Sequence, residues 1–307
     1  MDKKEIIKKL IEKGIIPTPE NIKKATENGF EFLSAEKVSG ERKPVEKRKD
    51  EIEFFVKEAR EKEKISAADV ANFYKNRYEK IRKILLEKVD AVSINKLKNI
   101  FSEVSVIGMV SEKTQSGFLL EDLTGQIEVV SKEEVDLDDV IAVKGYVREN
   151  KIFATEIIYP DIPFNRKIGK IKASVLLTRK VENTKSVNDV DIIITPREII
   201  NEERKIDITN NPAFIKLKKG NDELSLLIFE KNKDVEMNEP LSILKKRYFP
   251  IKRNEIKWSI DPNIIEEVPD IFWITSKDSK FKVHKGVLLI FAERAKVDME
   301  TKEVEFN

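Results

Sequence analysis

The chain has no cysteine and a single histidine, His284, in 307 residues. Without thiols there is no disulfide framework and no thiolate metal site, and the composition fits an intracellular, cytoplasmic protein. One imidazole is too few for a conventional His-rich dinuclear centre. No apolar run approaches the ~18–20 residues that a membrane span requires. The Lys-rich start is not followed by the apolar stretch of a secretory signal. There is no G-x-x-x-x-G-K-[ST] or G-x-G-x-x-G phosphate loop and no G-x-S-x-G nucleophile elbow. Internal repeats and low-complexity tracts are also lacking. Counting leaves one option open, a carboxylate-only Mg²⁺ site. Asp189, Asp191 and Asp207 are its candidates, and no spacing selects them. The expectation is therefore no assigned catalytic, cofactor-binding or metal-ligating residue, and no cofactor.

Charge is abundant and unevenly spread. Charged residues make up 37% of the chain, yet the net charge is only +2. Residues 1–98 carry 25 basic and 19 acidic side chains, residues 99–163 carry 5 and 13, and residues 164–307 carry 28 and 24. The middle stretch, at net −8, is the acidic part. A groove that tracks nucleic-acid phosphates needs Lys and Arg. The middle stretch is thus read as packing against protein, not as a single-strand-binding surface.

That stretch also has the clearest pattern. From Val104 to Pro163, short apolar runs alternate with polar residues and are cut by turns at roughly 8–12-residue spacing. Asp122 to Gly125 turns the chain between two strands, with Gly125 free to take φ > 0. A strand pair, this hairpin and two closing strands suit a five-stranded OB barrel. Before it, residues 3–13 and a segment opened by Thr18 and Pro19 read as two short helices, a module of residues 1–33. Residues 34–49 read as a charged linker. Residues 50–98 read as helical, first around 50–61 with Ile52, Phe55, Val56 and Ala59 on one side. A second helix starts at the capping-box-like Ser66-Ala67-Ala68-Asp69. In it Val70, Phe73, Tyr74, Arg77, Ile81, Ile84, Leu85 and Val89 repeat at helical spacing, and Tyr74, Arg77 and Tyr78 read as the edge of an apolar face.

After the barrel, Pro160 and Pro163 stiffen the exit. Lys172–Leu177, Val187–Asp191 and Ile192–Thr195 are apolar runs, and Ile192–Ile194 and Val287–Phe291 read as buried strands. Phe214–Leu217 and Leu224–Phe229 flank Gly220-Asn221-Asp222 as a hairpin, and Leu241–Tyr248 reads as a short helix. The fold class expected is multidomain α+β: an N-terminal helical module (1–33), a linker (34–49), a helical segment (50–98), an OB barrel (99–163) and a layered α/β domain (164–307).

Several segments in order resemble the small subunits of archaeal family-D DNA polymerases. Phe118 to Ile127 and Pro160 to Pro163 resemble that family's OB domain, and Arg77 to Leu85 with Ala91 to Ile94 its preceding segment. Asn211–Phe214, Leu244–Ile251 and Glu267–Phe272 resemble pieces of its calcineurin-like phosphoesterase domain. The resemblance implies pairing with a large polymerising subunit, contact with DNA through the complex, and a dinuclear 3′–5′ exonuclease site. It also leaves room for replication factors at the N-terminal helices. The family's metal-site motifs do not match here. Gly-Asn-His-Asp is replaced by Thr195-Pro196-Arg197-Glu198, and Gly-His-x-His by Thr275-Ser276-Lys277-Asp278. The Asp-x-His strand corresponds to Ala173–Leu177, which has neither residue. The reading is a shortened, degenerate phosphoesterase domain in a scaffold subunit. Its rivals are a phosphoesterase with a carboxylate site drawn from Asp189, Asp191, Asp207 or Asp278, and a stand-alone single-strand-binding protein.

Overall fold

The computed structural model describes residues 5–6, 25–26, 51–98, 100, 102–180, 190–201, 204–231 and 236–306. The expected helical module and linker at 1–49 lie outside these apart from residues 5–6 and 25–26, which are helical. Residues 52–307 form one compact unit and residues 1–51 another.

The expected multidomain α+β class, with its layered α/β domain, gives way to a mostly β molecule. Strand accounts for 40% and helix for 16% of it. The described unit opens with strand β1 (Glu53–Val56), not with the helix expected over 50–61. Ile52, Phe54 and Val56 recur every second residue, and all three pack on the same core. A period of two is a strand's, and it outranks the looser helical spacing.

Helix α1 (Ala67–Leu86) begins at a true capping box. The Ser66 side chain accepts from the Asp69 N–H at 3.2 Å, and the Asp69 carboxylate accepts from the Ser66 N–H at 3.0 Å. Phe73, Arg77, Ile81 and Leu85 follow at four-residue steps and are buried.

Strands β2 (Glu103–Lys113), β3 (Gly117–Asp122), β4 (Gly125–Val130), β5 (Val140–Arg148) and β6 (Lys151–Ile158) close into a barrel in the order β2-β3-β4-β6-β5. All neighbours are antiparallel except β4 and β6. Gly145 lies at an irregularity in the β5–β6 pairing. A Cβ there would meet the Phe153 carbonyl oxygen at 2.2 Å, so only glycine permits the approach. At the β3–β4 turn one Asp122 oxygen accepts from the N–H groups of Thr124 and Gly125, which pins the hairpin.

The remaining strands are β7 (Ser174–Thr178), β8 (Ile192–Ile194), β9 (Glu198–Asn201), β10 (Arg204–Asp207), β11 (Ala213–Lys219) and β12 (Asp222–Phe229). Helix α2 (Asn238–Lys246) follows. Then come β13 (Ile271–Ile274), β14 (Lys280–His284), β15 (Val287–Phe291), β16 (Arg294–Asp298) and β17 (Val304–Glu305). They form two six-stranded sheets, β1-β11-β12-β13-β15-β14 and β10-β9-β8-β7-β16-β17. One core joins the two sheets: Val175, Leu177 and Ile194 of the second share it with Leu226, Trp273 and Ile290 of the first. The opposite face of the first sheet is covered by α2 through Ile243 and Leu244. β13 and β15 are therefore buried on both faces, which explains their unbroken apolar runs. The expected α/β layering fails because sheet packs on sheet where helices were anticipated. No helix among the described residues is long and apolar enough to cross a membrane.

Candidate functional site

Open sheets with parallel strands seat ligands beyond the carboxyl ends of those strands. The parallel pairs here are β7–β8, β12–β13 and β13–β15. Their ends carry threonines that bond to the chain itself. Thr195 Oγ1 accepts from the N–H groups of Arg197 and Glu198 at 3.1 and 2.9 Å. Thr275 Oγ1 accepts from the Lys231 N–H at 3.0 Å and donates to the Lys231 carbonyl. Thr178 Oγ1 donates to the Lys180 carbonyl at 2.9 Å. Beside them Glu230 pairs with Arg197 at 3.0 Å and Arg179 at 3.9 Å, and Arg179 also reaches Glu293 at 3.4 Å. These hydroxyls are bonded to backbone and the Glu230 carboxylate is paired with two arginines, so the strand ends are capped by their own chain.

The sequence-derived candidates are dispersed. Asp191 sits at the amino end of β7, where its carboxylate accepts from the Ser174 N–H at 2.7 Å. Asp207 closes β10 in register with Glu198. Asp278 lies between β13 and β14 and pairs with Lys280 at 2.5 Å. Asp189 lies outside the described residues. His284 ends β14, and partial burial together with Lys285 holds its imidazole below the usual pKa. Among the described residues no group of three or more His, Cys, Asp or Glu is placed to hold a metal ion.

The most elaborate polar construction is the junction of α1, the barrel and the two-sheet body. Arg77 and Asp261 are 1% and 0% exposed, and the guanidinium donates to the carboxylate at 2.6 Å. Burial pushes the Asp261 carboxyl up, and Arg77 and the Asn263 N–H pull it back. The Arg77 guanidinium also lies over the Tyr248 ring, 4.2 Å from its centroid. The Tyr248 hydroxyl donates to Asp139 on the barrel at 2.8 Å, and burial beside that carboxylate drives its pKa far above the usual phenol value. Lys246 closes the circuit, 2.9 Å from Asp139 and 2.5 Å from Asp136. Around this network pack Tyr78, Ile81 and Leu85 of α1, Ile107, Val140 and Ala142 of the barrel, and Ile264 of the body. Two carboxylates of the acidic β4–β5 loop, Asp136 and Asp139, are thus paired with Lys246 of the body.

Arg247 extends the junction. It ends α2 in the left-handed region at φ 62°. Its guanidinium donates to the carbonyls of Ile265, Glu266 and Asp161 at 2.7, 2.6 and 3.3 Å. Burial and the nearby Arg166 lower its pKa to about 10. A groove of about 560 Å³ runs alongside, with Lys88, Arg166 and Arg247 facing Glu266 and Asp270. Its mixed charge selects neither anion nor cation.

Sequence reading placed Arg77 on the helix face but did not find Asp261, Tyr248 or Asp139 as its partners. The available signal was an arginine at an apolar step between Phe73 and Ile81. Arginine is almost never fully buried without a partner, so that position demanded a distant carboxylate.

No protein-family model matches the chain. Over 108 residues, 32% of this chain, it is 32% identical to the DNA polymerase II small subunit of Archaeoglobus fulgidus. The match spans 22% of that protein's length. Over about a third of its residues, then, the chain is similar to an archaeal DNA polymerase small subunit.

Proposed function

We propose that this chain is a scaffold-type small subunit of an archaeal family-D DNA polymerase. It binds the large, polymerising subunit and contributes no hydrolysis of its own. The observation that carries the assignment is the similarity over 108 residues to a DNA polymerase II small subunit. The loss of exonuclease activity is supported by the strand ends, where Thr195 and Thr275 bond to the backbone and Arg179, Arg197 and Glu230 pair with one another. Metal-activated water and charge clamping supply most of the rate in dinuclear hydrolases, and that chemistry has no ligands here among the described residues. Tyr248 and Lys246 of the body tie it to Asp139 of the barrel, and the buried Arg77–Asp261 pair ties α1 to the body, which gives a piece suited to docking. DNA contact is made through the complex.

The test is co-expression with an archaeal family-D large subunit, followed by size-exclusion chromatography and primer extension. Co-elution and raised primer extension are expected. A chain that elutes alone overturns the subunit assignment. Digestion of single-stranded DNA with Mn²⁺ by the purified chain overturns the non-hydrolytic part.

A further inference from the structure

One edge of the first sheet is built to receive another strand. β14 is the outermost strand beyond β15, and no described residue pairs with its far side. Which backbone groups face outward follows from the ladder. The N–H groups of Leu288 and Ala292 bond to Asp270 and Ile274, toward β13. Alternation then turns Val287, Leu289 and Phe291 toward β14, where they stand opposite His284, Lys282 and Lys280. Phe281 and Val283 are left with N–H and C=O directed away from the sheet.

The side chains of this strand are sorted by face. Phe281 and Val283 stand opposite Ile290 and Leu288, which belong to the core between the two sheets. They prolong that apolar face into solvent, at 51% and 62% exposure. Phe306 adds to the strip, its ring centroid 6.2 Å from that of Phe281. Lys280 and Lys282 point to the other face, where the Lys280 ammonium lies over the Phe291 ring. Residues 277–285 hold four lysines and one aspartate. Lys280 pairs with Asp278, and Lys285 with Asp161. Lys277 and Lys282 have no acidic partner among the described residues.

Lysine on an edge strand ordinarily discourages pairing. An edge meant only to repel does not need two large apolar side chains at the residues whose backbone is open. We propose that β14 is a strand-addition site for an extended acidic segment of a partner protein. That segment alternates apolar and acidic residues: apolar side chains opposite Phe281 and Val283, carboxylates opposite Lys280 and Lys282. Main-chain bonds to Phe281 and Val283 give affinity, and the alternating side chains set register. A second copy of this chain is disfavoured, because β14 against β14 stacks lysines on one face.

The test uses the full-length chain and a fluorescent eight-residue peptide alternating Val and Glu, with a Val–Lys peptide of the same length as control. Saturable binding of the Val–Glu peptide is expected, at least tenfold tighter than the control. Hydrogen exchange should slow at the amides of Phe281 and Val283. Val283→Pro removes the outward donor and alters one apolar side chain, and the β14–β15 ladder does not use the N–H it loses. It should weaken binding at least tenfold with an unchanged circular dichroism spectrum, as should Lys280→Glu combined with Lys282→Glu. The proposal is overturned by equal binding of the two peptides, by no binding up to millimolar concentration, or by a Val283→Pro variant that binds normally. A free chain whose dimer is abolished by Val283→Pro also overturns it, since the edge then serves a second copy.

Discussion

The five-stranded barrel closes on itself and leaves no strand edge, whereas among the described residues each sheet of the body keeps two. The charge follows the same division. The barrel stretch is acidic, at net −8, and its Asp136 and Asp139 are occupied by Lys246 and Tyr248 of the body. The body is net basic, and at β14 it leaves lysines and backbone groups open. A closed barrel can meet another molecule only through side chains and loops, and here part of that surface already faces its own chain. An open sheet can offer main-chain hydrogen bonds as well. The two regions are therefore unequal as docking pieces: the closed barrel has no strand edge to offer, and the body has.

The most forceful way to break this comparison is to uncouple the regions. Arg77→Ala leaves the Asp261 carboxylate buried without its cation. Removing one partner of a buried ion pair typically costs about 3–5 kcal/mol. Urea unfolding should show that loss. Arg77→Met together with Asp261→Leu should recover most of it, because apolar packing replaces both charges. A single-variant loss within error of zero would mean that the Arg77–Asp261 pair does not hold α1, and the barrel packed on it, to the body.

Next in size is a change confined to the barrel. Gly145→Ala brings a methyl group against the Phe153 carbonyl oxygen. Overpacking of this kind costs about 1–3 kcal/mol, and it should lower the thermal midpoint. Tyr248→Phe is milder. It deletes one hydrogen bond to Asp139 but leaves Lys246 beside that carboxylate. A hydrogen bond to a charged group is worth about 1.5–3 kcal/mol, and the surviving lysine argues for the lower end. If Gly145→Ala is silent while Tyr248→Phe is severe, the barrel's stability resides in the junction and not in its own closure.

The two regions were also unequally legible. Strands and turns across 104–158 could be read because alternation and turn residues act locally: Asp122 to Gly125 encodes its hairpin within four residues. The β11–β12 hairpin and the Ser66 cap were legible for the same reason. Residues 50–61 were misread as helix because Ile52, Phe54 and Val56 gain their partners from β11, some 160 residues away. The layered α/β expectation failed similarly. A continuous run such as Val287–Phe291 signals burial on both faces, but not whether helix or sheet does the burying. Of the ion-paired and hydrogen-bonded groups that meet at the junction, only Arg77 was in view. Asp261, Tyr248 and Asp139 come from three separate segments, and no local pattern links them. The β14 edge was invisible for a further reason: a free edge is defined by what fails to pair with it.

The smallest expected effect lies at the start of α1, which carries Arg77 into the junction. Lys62 and the Ser66 N–H and hydroxyl all bond to the Asp69 carboxylate, and they hold its pKa at about 2, against an ordinary 3.8. A depressed carboxyl pKa means that the folded chain binds its proton less readily than the unfolded chain does. The cap's contribution is therefore complete above about pH 5, declines as pH falls through 3.8 and is gone below about 2. Asp69→Asn removes the charge at every pH. Unfolding curves of the two proteins should be furthest apart at pH 7 and should converge toward pH 2.5. Ser66→Ala removes the other half of the box at a cost of about 1 kcal/mol; its gap to wild type narrows at low pH only by the share that the Ser66 hydroxyl gives the Asp69 carboxylate, and the share from the Asp69 N–H bond remains. If the Asp69→Asn gap instead stays constant from pH 7 to pH 2.5, the carboxylate's charge contributes nothing, and α1 is placed by its buried face alone. In that case the coupling of barrel to body would rest on Arg77 and its apolar surroundings without help from the helix start.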